Sequence, residues 1–107
     1  MFGNTLRICD GIQTLILRAP IKTDIPYMAN GMADWEVKKY LGGLGAPTEE
    51  GEIRWIEETE IVRDGIVWVI QPENLDHAIG STSLHGITDR SNGSYSGFVI
   101  WEKEWWR

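Results

Sequence analysis

Apolar and polar residues alternate in a way that divides the chain into short strands near its two ends and helices between them. The first apolar runs, at 6–9 and 14–19, flank Asp10-Gly11, a dipeptide suited to the positive backbone angles of a tight turn. This pattern predicts two strands joined as a hairpin.

Two helices are predicted after this hairpin. The first begins at Thr23, which is interpreted as its N-cap because Pro26 and an acidic residue fall in the first turn, and it ends near Asn30. The second is capped by Asp34 and ends at Gly42-Gly43. Its buried stripe, at the spacing of one helix face, comprises Val37, Tyr40 and Leu41.

A third helix and three further strands complete the predicted order. The helix begins at Thr48 and is broken by Gly65. Its broad apolar side comprises Ile53, Trp55, Ile56 and Val62. The run at 66–70 is continuously β-branched or aromatic, which is typical of a central strand covered on both faces, and strands are also expected at 77–85 and 94–101.

This order predicts an α+β fold in which a mostly antiparallel mixed sheet carries about three helices between its second and third strands. At 107 residues and 12.2 kDa, the chain has room for a single domain over residues 1–107. The 42% hydrophobic and 24% charged content is that of an ordinary globular protein.

The net charge of -6 argues against a nucleic-acid partner, because such proteins need clustered Lys and Arg to displace counterions from phosphates. The acidic stretches at 49–52 and 57–60 lie on the predicted third helix. We interpret them as its solvated face; the alternative is that they attract a cationic, amine-bearing partner.

Cys9 is the single cysteine, so neither an intramolecular disulfide nor a cysteine-rich metal site can form. The histidines, His77 and His85, lack a third ligand at metal-binding spacing, and no metal is expected. The chain also lacks the apolar run of a signal peptide or a membrane span. These features predict a cytoplasmic protein without a membrane partner.

Several segments, taken in this order, resemble the N-terminal half of GNAT-superfamily acetyltransferases, in the branch that includes the ribosomal-protein N-acetyltransferases. The segments are TLILRAP at 14–20 with Asp24, DWEVKKYLGG at 34–43, PTEE at 47–50, IGSTSLH at 79–85, GFVI at 97–100 and EKEWW at 102–106. Together they cover nearly the whole chain. The resemblance implies a partial GNAT fold and transfer of an acetyl group from acetyl-CoA to the amine of a small molecule or a protein.

In such proteins acetyl-CoA lies where two parallel strands splay apart, and the first of those strands is similar to residues 97–100. The resemblance therefore implies backbone contacts from Phe98, Val99 and Ile100 to the pantetheine arm; they can equally be core strand residues, and both interpretations can hold. A loop of pattern Gln/Arg-x-x-Gly-x-Gly/Ala then binds the pyrophosphate, and the alignment places Trp106 and Arg107 at its first two positions. We therefore expect a truncated acetyltransferase that is inactive alone.

The resemblance also indicates candidate catalytic and substrate residues. Tyr95 stands where many members carry a basic Glu, so His85 is the candidate proton acceptor, because histidine is the residue type best suited to take a proton near neutral pH. A histidine beside a turn is more often structural. Trp35 and Tyr40 are the candidate substrate-side contacts, although Tyr40, on an apolar helical stripe, is more often a core residue.

The aromatic C-terminal segment supports a second hypothesis. Trp101, Trp105 and Trp106 follow a strand that would lie at a sheet edge, and together they would expose a large aromatic surface. Self-association would cover it, so we expect a homodimer. The alternative function is a non-catalytic binding or assembly module that dimerises through this edge strand and Trp-rich segment.

Overall fold

The computed structural model describes residues 1–39, 48–86 and 95–106. Strands β1 (Leu6–Cys9) and β2 (Thr14–Arg18) pair as an antiparallel hairpin, which confirms the first prediction. Its loop spans residues 10–13. The Asp10 carboxylate accepts hydrogen bonds from the N–H groups of Ile12 and Gln13, each at 2.9 Å, and Gly11 takes the positive φ of 91°.

Three helices follow, as predicted: α1 (Ile25–Met32), α2 (Trp35–Lys38) and α3 (Glu49–Ile61). Asp34 and Thr48 cap α2 and α3 by accepting hydrogen bonds from the second or third helical N–H. The prediction that Thr23 caps the first helix is wrong. A 3-10 turn (Lys22–Asp24) precedes α1, and the carboxylate of Asp24 accepts the N–H of Ile21 at 2.8 Å instead.

The remaining strands are β3 (Gly65–Pro72), β4 (Gly80–His85) and β5 (Tyr95–Ile100), and a second 3-10 turn (Lys103–Trp105) follows β5. The sheet order is β1-β2-β3-β4-β5, and every neighbouring pair is antiparallel. The predicted α+β class is therefore confirmed, with β3 at the centre. The fourth strand begins at Gly80 rather than at the predicted residue 77, which leaves His77 in the connection before it.

The two faces of the sheet differ in what covers them. On one face, Val69 of β3 packs in a core with Met28 of α1 and Val37 of α2, together with Ala78 and Trp101. On the other face, the register aligns Leu6 of β1 and Ile100 of β5 through the intervening strands. Leu6, Ile8 and Phe98 of the outer strands are exposed there, whereas Ile70 and Pro72 of the central strand are buried, so the described residues leave the two edges of that apolar face open.

Only part of the predicted apolar side of helix α3 is buried. Trp55 packs against the core and makes an edge-on contact with Phe2, whose ring centroid lies 6.0 Å away. Ile53 is exposed, and Val62 is exposed and follows the end of the helix, so the prediction that Val62 lies on this helical side is wrong; Thr59 is the buried residue of the helix. Among the described residues, no helix combines the length and the apolar content that crossing a membrane requires.

A buried ion pair fixes α1 to the sheet. Asp24 is fully buried, and its two carboxylate oxygens accept hydrogen bonds from the Arg18 guanidinium at 2.8 and 2.9 Å. One of them also accepts the N–H of Ala78 at 3.1 Å. Burial opposes ionisation, but the Arg18 bonds and the backbone N–H groups outweigh it and lower the pKa of Asp24. The start of α1 is thereby held to β2 and to the β3–β4 connection.

Candidate functional site: the outer edge of β5 and the adjacent cavity

Strand β5 is the last strand of the sheet, so its outer edge carries backbone groups that pair with no other described strand. The N–H of Trp101 bonds to the carbonyl of Ile79 on the β4 side. Since successive residues of a strand point their backbone groups to opposite sides, the N–H and C=O of Phe98 and Ile100 point outward and those of Val99 point toward β4. The Phe98 side chain is 77% exposed.

A cavity of about 420 Å³ lies at the C-terminal end of β5. One wall is formed by Tyr27, Asn30 and Gly31 of α1, and the other by His77 and by residues 101–104. The same segment that follows the outer edge of β5 therefore borders this cavity. The edge and the cavity are two parts of one candidate site.

Trp101 forms the inner part of the cavity wall. It is only 4% exposed, and a Cβ placed on Gly31 would lie 2.6 Å from its Cβ and Cδ1 atoms, so α1 can approach only because position 31 is glycine. The expectation that Trp101 faces water is wrong, because the indole fills the space between β5 and α1. Trp106 is partly exposed, and its Nε1 donates to the carbonyl of Ile100 at 2.7 Å.

His77 is the most constrained titratable group at the cavity. Its Nε2 lies 2.6 Å from Glu102 Oε1, its Nδ1 lies 3.0 Å from Asp76 Oδ1, and its ring stacks on Tyr27 with centroids 3.8 Å apart and planes 4° apart. Burial of the ring opposes protonation, but the hydrogen bonds and charges of the two carboxylates outweigh it and raise the pKa of His77. The ring is therefore disposed to carry a positive charge.

Lys103 is the cation that lines the cavity beside Glu102 and Glu104. Its ammonium lies 2.8 Å from an Asp34 carboxylate oxygen and 3.4 Å from one of Glu36. The bond from Lys103 lowers the pKa of Asp34, and the bond to Asp34 raises the pKa of Lys103. The charge of this lysine is thus already compensated within the protein.

The structure separates the other residues identified from the sequence. His85 ends β4 opposite Tyr95 at the start of β5, whereas the cavity is lined by residues 101–104 after the end of that strand; the five residue steps of β5 alone span about 17 Å at 3.3–3.4 Å per residue. Trp35 begins α2 and is 72% exposed. Tyr40 lies outside the described residues. Phe98, Val99 and Ile100 do lie together on β5.

The constellation of His77, Tyr27 and Glu102 was not predicted. The neighbouring carboxylate at position 76 was a visible signal for a perturbed histidine. Glu102, however, lies 25 residues away in sequence, and nothing in the local pattern indicates that it reaches the ring. Among the described residues, no group of three or more His, Cys, Asp or Glu side chains is placed to hold a metal ion.

Comparison with known proteins supplies one finding. The family model described as acetyltransferase (GNAT) domain matches residues 14–107, which contain β2 to β5 and all three helices. No curated protein and no solved structure matches the chain significantly. On the family match, which extends over most of the chain, the protein belongs to the GNAT acetyltransferase family.

Proposed function

We propose that the chain provides the strand edge on which a GNAT N-acetyltransferase binds acetyl-CoA. The observation that carries this proposal is the outer edge of β5 at Phe98, which pairs with no other described strand of this GNAT domain; the carbonyl of Ile100 already accepts the Nε1–H of Trp106. A pantetheine arm contains two amides, each with a donor and an acceptor, and a strand edge offers complementary groups at regular spacing. At Phe98, the residue before Val99, both the N–H and the C=O point away from β4 and can bond to one of these amides.

When it is bound, acetyl-CoA supplies the activated acetyl group as a thioester. The protein positions that carbonyl against an amine and offers a backbone N–H from the strand edge to the developing oxyanion. His85, beside the N-terminal end of β5, is our candidate for accepting the amine proton, and Trp35 and Tyr40 are our candidates for contacting the acceptor. The acceptor is the amine of a small molecule or a protein.

We propose that the 107-residue chain alone binds the cofactor weakly, because of the charges at the C-terminal end of β5. Glu102 and Glu104 line this end, and the ammonium of Lys103 is held by Asp34 and Glu36. A pyrophosphate at this end would be repelled by the Glu104 carboxylate and would find the charges of Lys103 and His77 already engaged by acidic side chains. We therefore propose little or no transfer activity by this chain in isolation.

Isothermal titration with acetyl-CoA tests the strand-edge proposal, using two variants of one residue. Phe98→Pro removes the outward N–H while leaving the β4–β5 hydrogen bonds in place, because proline is tolerated where the N–H faces away from the sheet. Phe98→Ala is the matched control, since it removes the ring and keeps the N–H. We expect the alanine variant to bind like the wild type and the proline variant to lose binding. Equal affinity for all three, or no wild-type binding at millimolar cofactor, would contradict the proposal.

A second candidate function is an assembly module that homodimerises through β5. The observation favouring it is that β5 carries no charged residue and no proline, the usual devices that protect an edge strand, while Phe98 is exposed beside an open apolar sheet face. Antiparallel pairing of β5 with the β5 of a second copy is self-complementary. Light scattering during size exclusion should then give twice the monomer mass of 12.2 kDa; a monomer at micromolar concentration contradicts it.

A further inference from the structure

His77 connects three parts of the fold that are distant in sequence. It lies in the β3–β4 connection, its ring stacks on Tyr27 of α1, and its Nε2 contacts Glu102 of the segment that follows β5. We propose that His77 is a proton-dependent latch that fastens residues 102–106 to α1 and to the β3–β4 connection. This inference does not depend on cofactor binding.

The hydrogen-bond geometry requires the protonated ring. Glu102 and Asp76 are acceptors when ionised, and they face the two ring nitrogens at 2.6 and 3.0 Å. Only the imidazolium carries an N–H on both nitrogens. A neutral ring would leave one nitrogen lone pair directed at a carboxylate oxygen, so one of the two contacts would have to weaken or break.

The other charges around the ring do not cancel this arrangement. At the next residue of the chain, the N–H of Ala78 donates to the carboxylate of Asp24, whose charge is compensated by Arg18. At the cavity, the charges of Asp34 and Lys103 compensate each other, and Glu104 adds a further negative charge from the 3-10 turn. From α1, Tyr27 contributes its ring face. The field at His77 is thus dominated by its two carboxylate partners.

The two carboxylates should respond differently when His77 loses its proton. The Asp76 side chain is 93% exposed and can turn into water, whereas the Glu102 side chain is 19% exposed and remains against the ring. The neutral ring should therefore keep its proton on Nε2 and donate it to Glu102. That bond then keeps only the charge of the carboxylate, so the ion-pair attraction between His77 and Glu102 is lost and the contact weakens. The segment after β5 should consequently open more often as the pH rises.

Nuclear magnetic resonance on the full chain tests the latch. In the His85→Gln variant, His77 is the single histidine, so its titration midpoint and tautomer can be assigned directly. We expect the titration midpoint of His77 in the folded protein to lie above that in the urea-unfolded chain. At pH values above this midpoint, the neutral ring should be the Nε2–H tautomer. Across the midpoint, amide exchange protection at Trp105 and Trp106 should fall by up to roughly fivefold, because the ion pair between His77 and Glu102 becomes a hydrogen bond from a neutral ring. Protection at Val69 serves as the internal reference.

Two charge-neutralising variants separate the contributions of the partners. Glu102→Gln should lower the midpoint of His77 more than Asp76→Asn, because the Glu102 contact is shorter and better shielded from water. A midpoint at or below that of the unfolded chain, equal shifts in the two variants, or constant protection of Trp105 and Trp106 across the midpoint would overturn the proposal. If Glu102→Gln does not fold, the His85→Gln titration and the exchange data still decide it.

Discussion

Replacement of Asp24 by asparagine should destabilise the protein more than any other single charge removal in the described residues. Asp24 is fully buried and accepts four hydrogen bonds, two from Arg18 and two from the backbone N–H groups of Ile21 and Ala78. Asparagine has one acceptor oxygen in place of two. The substitution therefore leaves some of these N–H donors without an acceptor. It also leaves the positive charge of Arg18, which is largely buried, without a negative partner.

The size of the effect follows from that burial. Removing one partner of a buried ion pair typically costs about 3–5 kcal/mol, because the remaining charge stays desolvated without compensation. The exposed pair between Arg7 and Glu73 is a matched comparison, since its 2.6 Å contact is even shorter than those of Arg18. Exposed pairs contribute about 0–1 kcal/mol, so Glu73→Gln should change stability little.

Urea denaturation followed by circular dichroism measures both variants on one scale. Asp24→Asn should lower the free energy of unfolding by several times as much as Glu73→Gln. Adding Arg18→Met to Asp24→Asn should recover part of the loss, because no buried charge then remains uncompensated. Equal losses in the two single variants would refute the reasoning that burial, rather than contact distance, sets the contribution of an ion pair here.

Three further predictions concern pH, packing and capping. The pKa of Asp24 is lower in the folded protein than in the unfolded chain. The ionised carboxylate therefore stabilises the fold above the unfolded-state pKa of about 3.9, and this stabilisation is lost as the pH falls through the folded-state pKa. The wild type should accordingly lose more stability on acidification to about pH 3 than Asp24→Asn. Gly31→Ala should destabilise by about 1–3 kcal/mol in thermal melts despite the better helix propensity of alanine, because its Cβ would overlap Trp101. Thr48→Ala should cost about 1 kcal/mol through loss of the cap on Gly51, and Thr48→Ser should restore it.

The sequence predicted the strands and caps that depend on local chemistry. The continuous apolar run in β3, the Asp10-Gly11 loop and the caps at Asp34 and Thr48 each carry a signal within a few residues, and the structure has them where they were expected. The Thr23 cap failed because residues 22–24 form a 3-10 turn that leads into α1, whose N-cap residue is Asp24 and makes no side-chain cap bond. The Asp24 carboxylate instead accepts hydrogen bonds from Arg18, Ile21 and Ala78.

Burial was predicted less well where it depends on distant partners. Trp101 was expected at the surface because it follows an edge strand, yet glycine at position 31 lets α1 approach and cover it. Ile53 and Val62 were predicted on an apolar helical side, but Ile53 is exposed and Val62 lies after the end of the helix, whereas Trp55 contacts Phe2 and the core. His77 lacked a local signal for Glu102 for the same reason. Each error concerns a contact between residues far apart in the sequence.

The two polar networks meet in the short connection between β3 and β4. Asp24 binds the N–H of Ala78, and the adjacent residue, His77, binds Glu102. Loss of Asp24 should therefore also displace the His77 ring relative to Glu102. Residues in one network are expected to show coupling energies of about 0.5–3 kcal/mol, whereas independent sites add. A double-mutant cycle of unfolding free energies between Asp24→Asn and Glu102→Gln should therefore show coupling. The cycle between Asp24→Asn and Thr48→Ala should be additive. Additivity in both cycles would mean that the buried ion pair and the His77 contacts act independently.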